Sequence, residues 1–342
     1  MESWLTRDWF HRDLTIDPGT SQTVLASRRQ GMLAREHTRV ILNQATRSNG
    51  APHVLAFGTD ALVRSFAGRR VQTIDPVVRG KLAHPIGMDI LLREMIRKTR
   101  FQSAFSFAFG LRLGLVAAPN LAPSDRSDFL ALSVEVGRSQ ARLIPAPFAA
   151  MRGCELDVHG PRAHMLLDFG GGKSYAVVTS LGDIAALAHV EFGGADLDEA
   201  IRKHIERRSH IVISPTTAEA VKRAVGSVYP RVEPLQTEVM GVDNRTGFEK
   251  KVLVDDNELR DILIDACEPL LTLIQRCLSE TPAELAADID AGGVTLLGGS
   301  ALLSGLPEFL TERLGLRFQR AEDPMNATVL GAQALLLEGM ED

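Results

Sequence analysis

Three stretches carry the residue types best suited to chemistry. In the first, an apolar run (Met165–Leu167) leads to Asp168, and Gly170, Gly171, Gly172, Lys173 and Ser174 come before a second apolar run, Tyr175–Val178. This pattern reads as a β-hairpin whose turn has almost no side chains. Glycine lets a ligand approach the backbone closely, and successive amides in such a turn form an anion-binding nest. An acid beside the nest can hold a divalent cation through water, as magnesium prefers when it bridges phosphates. The second stretch, Asp13–Ser27, repeats the pattern: a short strand, then Asp17, Gly19 and Thr20, then a second strand. Aligning Asp17 with Asp168 sets Gly19 on Gly170, so the chain reads as two related halves. The third, Gly293–Leu303, is an apolar strand, a Gly298-Gly299-Ser300 turn and the start of a helix. That turn leaves room for a base or sugar. Taken as residues alone, the glycine turns fit phosphate binding and ordinary tight hairpins equally.

The elements that must position these turns alternate between strand and helix, which argues an α/β architecture. With 342 residues the chain is too long for one core and predicts two lobes. Ile86–Arg100 has apolar residues at helical spacing. A helix beginning at Ser124, with that residue as N-cap, is followed by a strand at Arg142–Ile144 and the turn Pro145-Ala146-Pro147. Gly193-Gly194 precede a helix over Ala195–Ile205, with Asp196 near its N-terminus, where an acid is favourable. Thr216 or Thr217 caps the next helix, which carries Glu219 and Lys222 three apart, the spacing of a surface ion pair. Two strands lie within Leu235–Val254, around a turn at residues 244–247. One long helix is predicted over Asn257–Cys277, and another over Pro282–Ile289, ended by Gly292-Gly293.

Composition narrows the function classes. Hydrophobic content of 45% and charged content of 24% are those of a globular protein, and a net charge of −5 gives no basic footprint for nucleic acid. The three cysteines have no CxxC spacing, which suits a reducing cytosol and offers no zinc site. No stretch is long and apolar enough to span a bilayer, and no secretory signal is visible. Both tryptophans lie near the start. On a helix Trp4, Leu5 and Trp9 share one side, with Arg7 and Arg12 nearby, so residues 1–12 suit an interfacial amphipathic anchor or a segment docked on its own domain. Phe101–Phe109 reads as a buried strand or helix end or, if exposed, as an apolar patch for a membrane or a partner, such as a second membrane-inserting loop.

Several motifs in order resemble the actin-like ATPase superfamily and, within it, the bacterial MreB rod-shape family. DPGTSQT looks like the family's first phosphate loop and DFGGGKSYAVVTSLGDI like its second. FGGADLDEAIRKHI, TTAEAVKRAVGSVYP, LLGGSALLSGLPEFL and AEDPMNATVLGAQALL fit later parts of the pattern. The resemblance implies a ribonuclease H-like, two-lobed α/β fold with a nucleotide cleft between the lobes. Lobe I would cover residues 13–160 and 325–342 with a subdomain at about 30–75. Lobe II would cover 161–324 with a subdomain at about 196–256. It implies ATP or ADP held by Gly19, Thr20, Gly170, Gly171, Gly172, Lys173, Gly194, Asp196, Glu219, Lys222, Gly298, Gly299 and Ser300, with Mg held through water by Asp17 and Asp168. The implied protein is a filament of copies of itself on the inner membrane's cytoplasmic side, anchored by Trp4, Leu5 and Trp9, and linked to cell shape and the cell-wall machinery. Three positions depart from the family's pattern. Ala146 stands where a Glu or Gln positions the attacking water, Lys173 where a Thr is usual, and Pro18 where an aliphatic residue is usual. Alanine has no group to hold a water, so the expectation is weakened hydrolysis, with catalytic residues none certain. The alternative is a degenerate actin-like scaffold that regulates another filament. A sugar kinase or DnaK-like ATPase fits less well, for want of a catalytic acid or a substrate domain.

Overall fold

The computed structural model describes residues 12–46, 52–64, 70–99, 111–119, 121–137 and 141–338. Trp4, Leu5, Trp9 and the segment Phe101–Phe109 lie outside the described residues. The chain divides into two compact units, Met1–Leu156 with Asn326–Asp342, and Asp157–Met325.

The first unit is built on a five-stranded sheet, in the order Ala141–Pro145, Leu111–Ala117, Arg12–Pro18, Gln22–Ser27, Gly31–His37. Arg12–Pro18 runs parallel to Leu111–Ala117 and antiparallel to Gln22–Ser27, so the first loop projects from the end of a central strand. Alternation sorts the faces. Leu14, Ile16, Leu25, Leu113 and Leu115 pack on one face with Met88, Leu91, Leu92 and Met95 of helix Pro85–Lys98. Each fully buried apolar side chain of this kind contributes roughly 1.5–3 kcal/mol. On the other face Val24 and Ala26 meet Val329 of helix Ala327–Glu338, and Thr15 Oγ1 donates to Gln333 Oε1 at 2.7 Å. Gly31–His37 is the last strand of this sheet, and a separate three-stranded sheet of Val40–Thr46, Pro52–Phe57 and Val71–Ile74 follows it.

The second unit repeats the plan. Its sheet runs Asp183–Val190, Ser174–Ser180, His164–Phe169, Val294–Leu297, Phe318–Arg320, with the first three strands antiparallel and the last two parallel to His164–Phe169. Asp168 pairs with Tyr175 and Phe169 with Ser174, which fixes the second glycine turn at residues 170–173. Helix Gly194–Ser209 buries Leu197, Ile201 and Ile205, spaced four apart on one face. A three-stranded sheet of Ile211–Val212, Gln236–Asp243 and Glu249–Asp255 lies beyond it.

Three local expectations change. The helix at Ser124 begins at Pro123, so Ser124 sits inside the first turn and is not its cap. Pro123 suits that first position because its missing amide would be unpaired there in any case. The cap of helix Pro215–Val225 is Ser214, whose Oγ accepts from the Thr217 amide at 3.0 Å, so neither Thr216 nor Thr217 caps it. The long helix expected over Asn257–Cys277 is two, Asp256–Ala266 and Glu268–Glu280. Pro269 explains the break: its ring would collide with the carbonyl four residues back, and it has no amide to donate.

Candidate functional site

In the second unit the second glycine loop is held from behind. The amides of Gly194 and Ala195, at the start of helix Gly194–Ser209, donate to the carbonyls of Gly170 (3.0 Å) and Gly171 (2.8 Å). Ser300 Oγ donates to the same Gly170 carbonyl at 2.9 Å, which brings the Gly298–Ser300 turn to the loop. Across the turn the Gly170 amide donates to the Lys173 carbonyl at 3.2 Å. Among the described residues the amides of Gly171 and Gly172 donate to nothing. With the carbonyls held and these amides unengaged, the turn presents donors, which is the geometry of an anion nest.

Close approach sets the residue types. A Cβ on Gly193 would lie 2.5 Å from Gly171 C and Gly172 N, so two backbones touch there. Gly298 has φ +87°, and its Cβ would stand 2.5 Å from Asp168 Oδ1 and from the Phe169 carbonyl oxygen. Only glycine meets both conditions at that position. Phe169 stacks on Phe192 with centroids 5.8 Å apart, and the buried Ser174 hydroxyl donates to the Phe192 carbonyl at 2.8 Å. These contacts tie the hairpin to the segment that enters the helix.

Asp196 closes a capping box: its Oδ2 accepts from the Gly193 amide at 2.8 Å. Lys222 Nζ donates to the Gly194 carbonyl at 2.9 Å and reaches Asp198 Oδ1 at 2.7 Å. The spacing had suggested a Glu219–Lys222 surface pair, but the lysine turns to Asp198 instead, where both partners are largely buried. Asp198 was not anticipated. Its carboxyl is pushed up to about 6, chiefly by burial and further by the Glu219 and Asp196 charges, with Lys222 opposing. Glu219 is half-exposed and makes no ion pair among the described residues. Gly170, Gly194, Lys222, Gly298 and Ser300 thus gather around one loop, and a Cβ on Gly299 would point into open space.

The first loop is closed by the equivalent turn bond but supported by other partners. The Gly19 amide is turned inward, donating to the carbonyls of Asp17 (3.2 Å) and Gln22 (3.1 Å). The Gly19 carbonyl accepts from Thr38 Oγ1 at 2.7 Å, and Thr20 Oγ1 accepts from the Gly80 amide at 2.9 Å. Pro18 ends its strand without an amide. Asp17 is half-buried, and desolvation pushes its carboxyl up to about 6, against the charge of Arg35. Ala146 opens helix Ala146–Gly153, is buried, and brings no polar side-chain atom.

A resident magnesium would supply positive charge against phosphate oxygens. Asp168, half-buried at its strand end beside the open amides, fits a water-mediated ion of that kind. Asp17 stands at the equivalent strand end of the first unit.

The family model described as MreB/Mbl protein matches residues 11–341. The cell shape-determining protein Mbl of Bacillus subtilis (strain 168) is 28% identical over 330 residues, 96% of this chain and 96% of that protein. The cell shape-determining protein MreB of Escherichia coli (strain K12) is 30% identical over 329 residues, 95% of this chain and 93% of that one. Among solved structures, MreB 5 of Spiroplasma citri bound to AMPPNP superposes with a TM-score of 0.89 at 24% identity, covering 97% of this chain and 98% of that one. The MamK double helical filament gives 0.76 at 18% identity, with 95% and 98% covered. At these identities the structural likeness speaks for the fold. With a sheet of the same order in each unit and a family match over nearly its whole length, the chain has the actin-like fold and belongs to the MreB/Mbl family.

Proposed function

We propose that this chain is a nucleotide-binding, filament-forming cytoskeletal protein that contributes to cell shape and works with the cell-wall machinery. The observation that carries the reading is the second glycine loop, with its carbonyls engaged by Gly194, Ala195 and Ser300 and the Gly171 and Gly172 amides left as donors. That arrangement suits the phosphates of ATP or ADP, with Gly298–Ser300 toward the base or sugar. The relatives support it: Mbl and MreB are cell shape-determining proteins, the Spiroplasma citri structures carry AMPPNP and ADP, and MamK forms a double helical filament.

Hydrolysis is weak in this reading. Ala146 can neither accept from nor donate to an attacking water, so nothing at that position orients it. Magnesium at Asp168 would offset phosphate charge, and Lys173 adds a positive charge to the same loop. Location at the inner membrane's cytoplasmic face rests on the sequence of Trp4, Leu5 and Trp9. No described helix is long and apolar enough to cross a membrane.

The test is calorimetric titration of the purified full chain with ATP and ADP, followed by single-turnover hydrolysis and electron microscopy. Micromolar binding, little hydrolysis and filaments are expected, with turnover raised in the double variant Ala146→Glu, Lys173→Thr. Absence of nucleotide binding would hand the chain to the scaffold reading, and wild-type hydrolysis untouched by these substitutions would remove the claim of impairment.

A further inference from the structure

Thr38 directly follows strand Gly31–His37 and stands two residues before strand Val40–Thr46 of the small sheet. It reaches the first glycine loop twice. Its Oγ1 donates to the Gly19 carbonyl at 2.7 Å, and its amide donates to the Ser21 carbonyl at 3.0 Å. The Thr38 hydroxyl also lies 3.0 Å from that of Thr23, in the strand that leaves the loop. A hydroxyl has one proton, and that of Thr38 goes to Gly19, so Thr23 is the donor in this pair. Both threonines are buried, where each hydroxyl needs its partner.

The two loops can be compared atom by atom. Gly19 and Gly170 each donate their amide across the turn, to the carbonyls of Gln22 and Lys173. The carbonyl of each then accepts from a hydroxyl outside the hairpin: Thr38 Oγ1 for Gly19, Ser300 Oγ for Gly170. A trans peptide is planar, so its C=O and the next residue's N–H point in opposite directions. Holding the Gly19 carbonyl therefore aims the Thr20 amide away from Thr38. Among the described residues the amides of Thr20 and Ser21 engage no acceptor. The first loop thus presents donors to an anion, as the second does through Gly171 and Gly172. We propose that Thr38 is a phosphate-positioning residue, which orients the first loop's amides as Ser300 orients those of the second. It is buried and acts through the loop backbone. The inference rests on the nucleotide-binding reading above.

The experiment is equilibrium binding of ADP and of adenosine to the full chain, for the wild type, Thr38→Val and Thr38→Ser. Valine keeps the shape of threonine and the main-chain bond to Ser21 but has no hydroxyl, so the Gly19–Thr20 peptide is free to turn. ADP affinity should fall by about tenfold, and adenosine, which has no phosphate, should bind within about twofold of its wild-type affinity. Thr38→Ser restores the hydroxyl and should bind ADP within about threefold of the wild type. If the valine variant does not fold, the double variant Thr23→Val, Thr38→Val leaves no unpaired hydroxyl between the two strands and takes its place. A folded valine variant that binds ADP within about twofold of the wild type, an equal loss for ADP and adenosine, or a serine variant as weak as valine overturns the role of Thr38 and leaves nucleotide binding intact. A wild type that binds no ADP overturns the nucleotide reading and this inference with it.

Discussion

Gly193→Ala is the sharpest probe of how the second loop is held. The backbone at Gly193 is extended (φ −168°), so alanine is conformationally allowed and the cost is one of space. The new methyl carbon would sit 2.5 Å from Gly171 C and Gly172 N and 2.7 Å from the Gly170 oxygen. Ordinary carbon contacts begin near 3.5 Å, so the loop and the helix start must separate by roughly 1 Å. The neighbours are main-chain atoms and cannot rotate away. A shift of that size takes the Gly194–Gly170 and Ala195–Gly171 hydrogen bonds, now 3.0 and 2.8 Å, beyond bonding distance. Two lost bonds at about 1 kcal/mol each, with overpacking of about 1–3 kcal/mol, give a destabilisation of about 3–5 kcal/mol. In a unit of this size that lowers the melting temperature by roughly 10 °C. The amides of Gly171 and Gly172 move with the loop, so ADP affinity should fall by about tenfold or more. Thermal unfolding and ADP titration of the same preparation give both readings, with Gly292→Ala as control, since a Cβ there meets only the Arg162 side chain, at 3.6 Å. A Gly193→Ala chain that melts within about 2 °C of the wild type and binds ADP normally would refute the claim that the helix start buttresses the loop.

Two further outcomes separate binding from stability. Gly299→Ala adds a methyl group to open space, so the melting temperature should hold while ADP affinity falls by about tenfold, the cost of crowding a base or sugar; unchanged affinity would take Gly299 out of the site. Asp198 titrates near 6 in the folded chain against an ordinary 3.8, so the folded state holds this proton more tightly. Its contribution to stability is therefore complete below about pH 3.8 and is lost as pH rises through about 6, an effect of up to about 3 kcal/mol. Denaturant unfolding across that range should show a flatter pH dependence in Asp198→Asn; an unchanged slope would mean that the carboxyl is not desolvated as described.

The glycine turns were legible because their signal is local. An acid, small residues and flanking apolar runs specify a hairpin end whatever the rest of the chain does, and both turns form where the spacing puts them. The helices with regular apolar spacing were legible for the same reason. What the sequence hid depends on register and on crossing angles. Nothing in the spacing between residues 17 and 35 says that Val24 will align them across three strands. Asp198 and Lys222 belong to different helices, and once packing buries them a partner in a drier setting prevails over the half-exposed Glu219 one turn away. Pro269 and the Ser214-Pro215 pair did carry their signals openly. The apolar periodicity of one and the adjacent threonines of the other were the weaker guides.

The two sheets share strand order and sense, and each loop is closed by the same turn bond, Gly19 to Gln22 in one and Gly170 to Lys173 in the other, while the supports around the loops differ. In the second unit the loop carbonyls are taken by a helix start and a serine, and backbone amides are left as the donors. In the first, the Gly19 amide closes its own turn, Pro18 has none to give, and Thr38 and Gly80 tie the loop down through Gly19 and Thr20. Among the described residues the amides of Thr20 and Ser21 in the first turn engage no acceptor, as is the case for Gly171 and Gly172 in the second. Duplicated topology therefore supplies two platforms at equivalent strand ends.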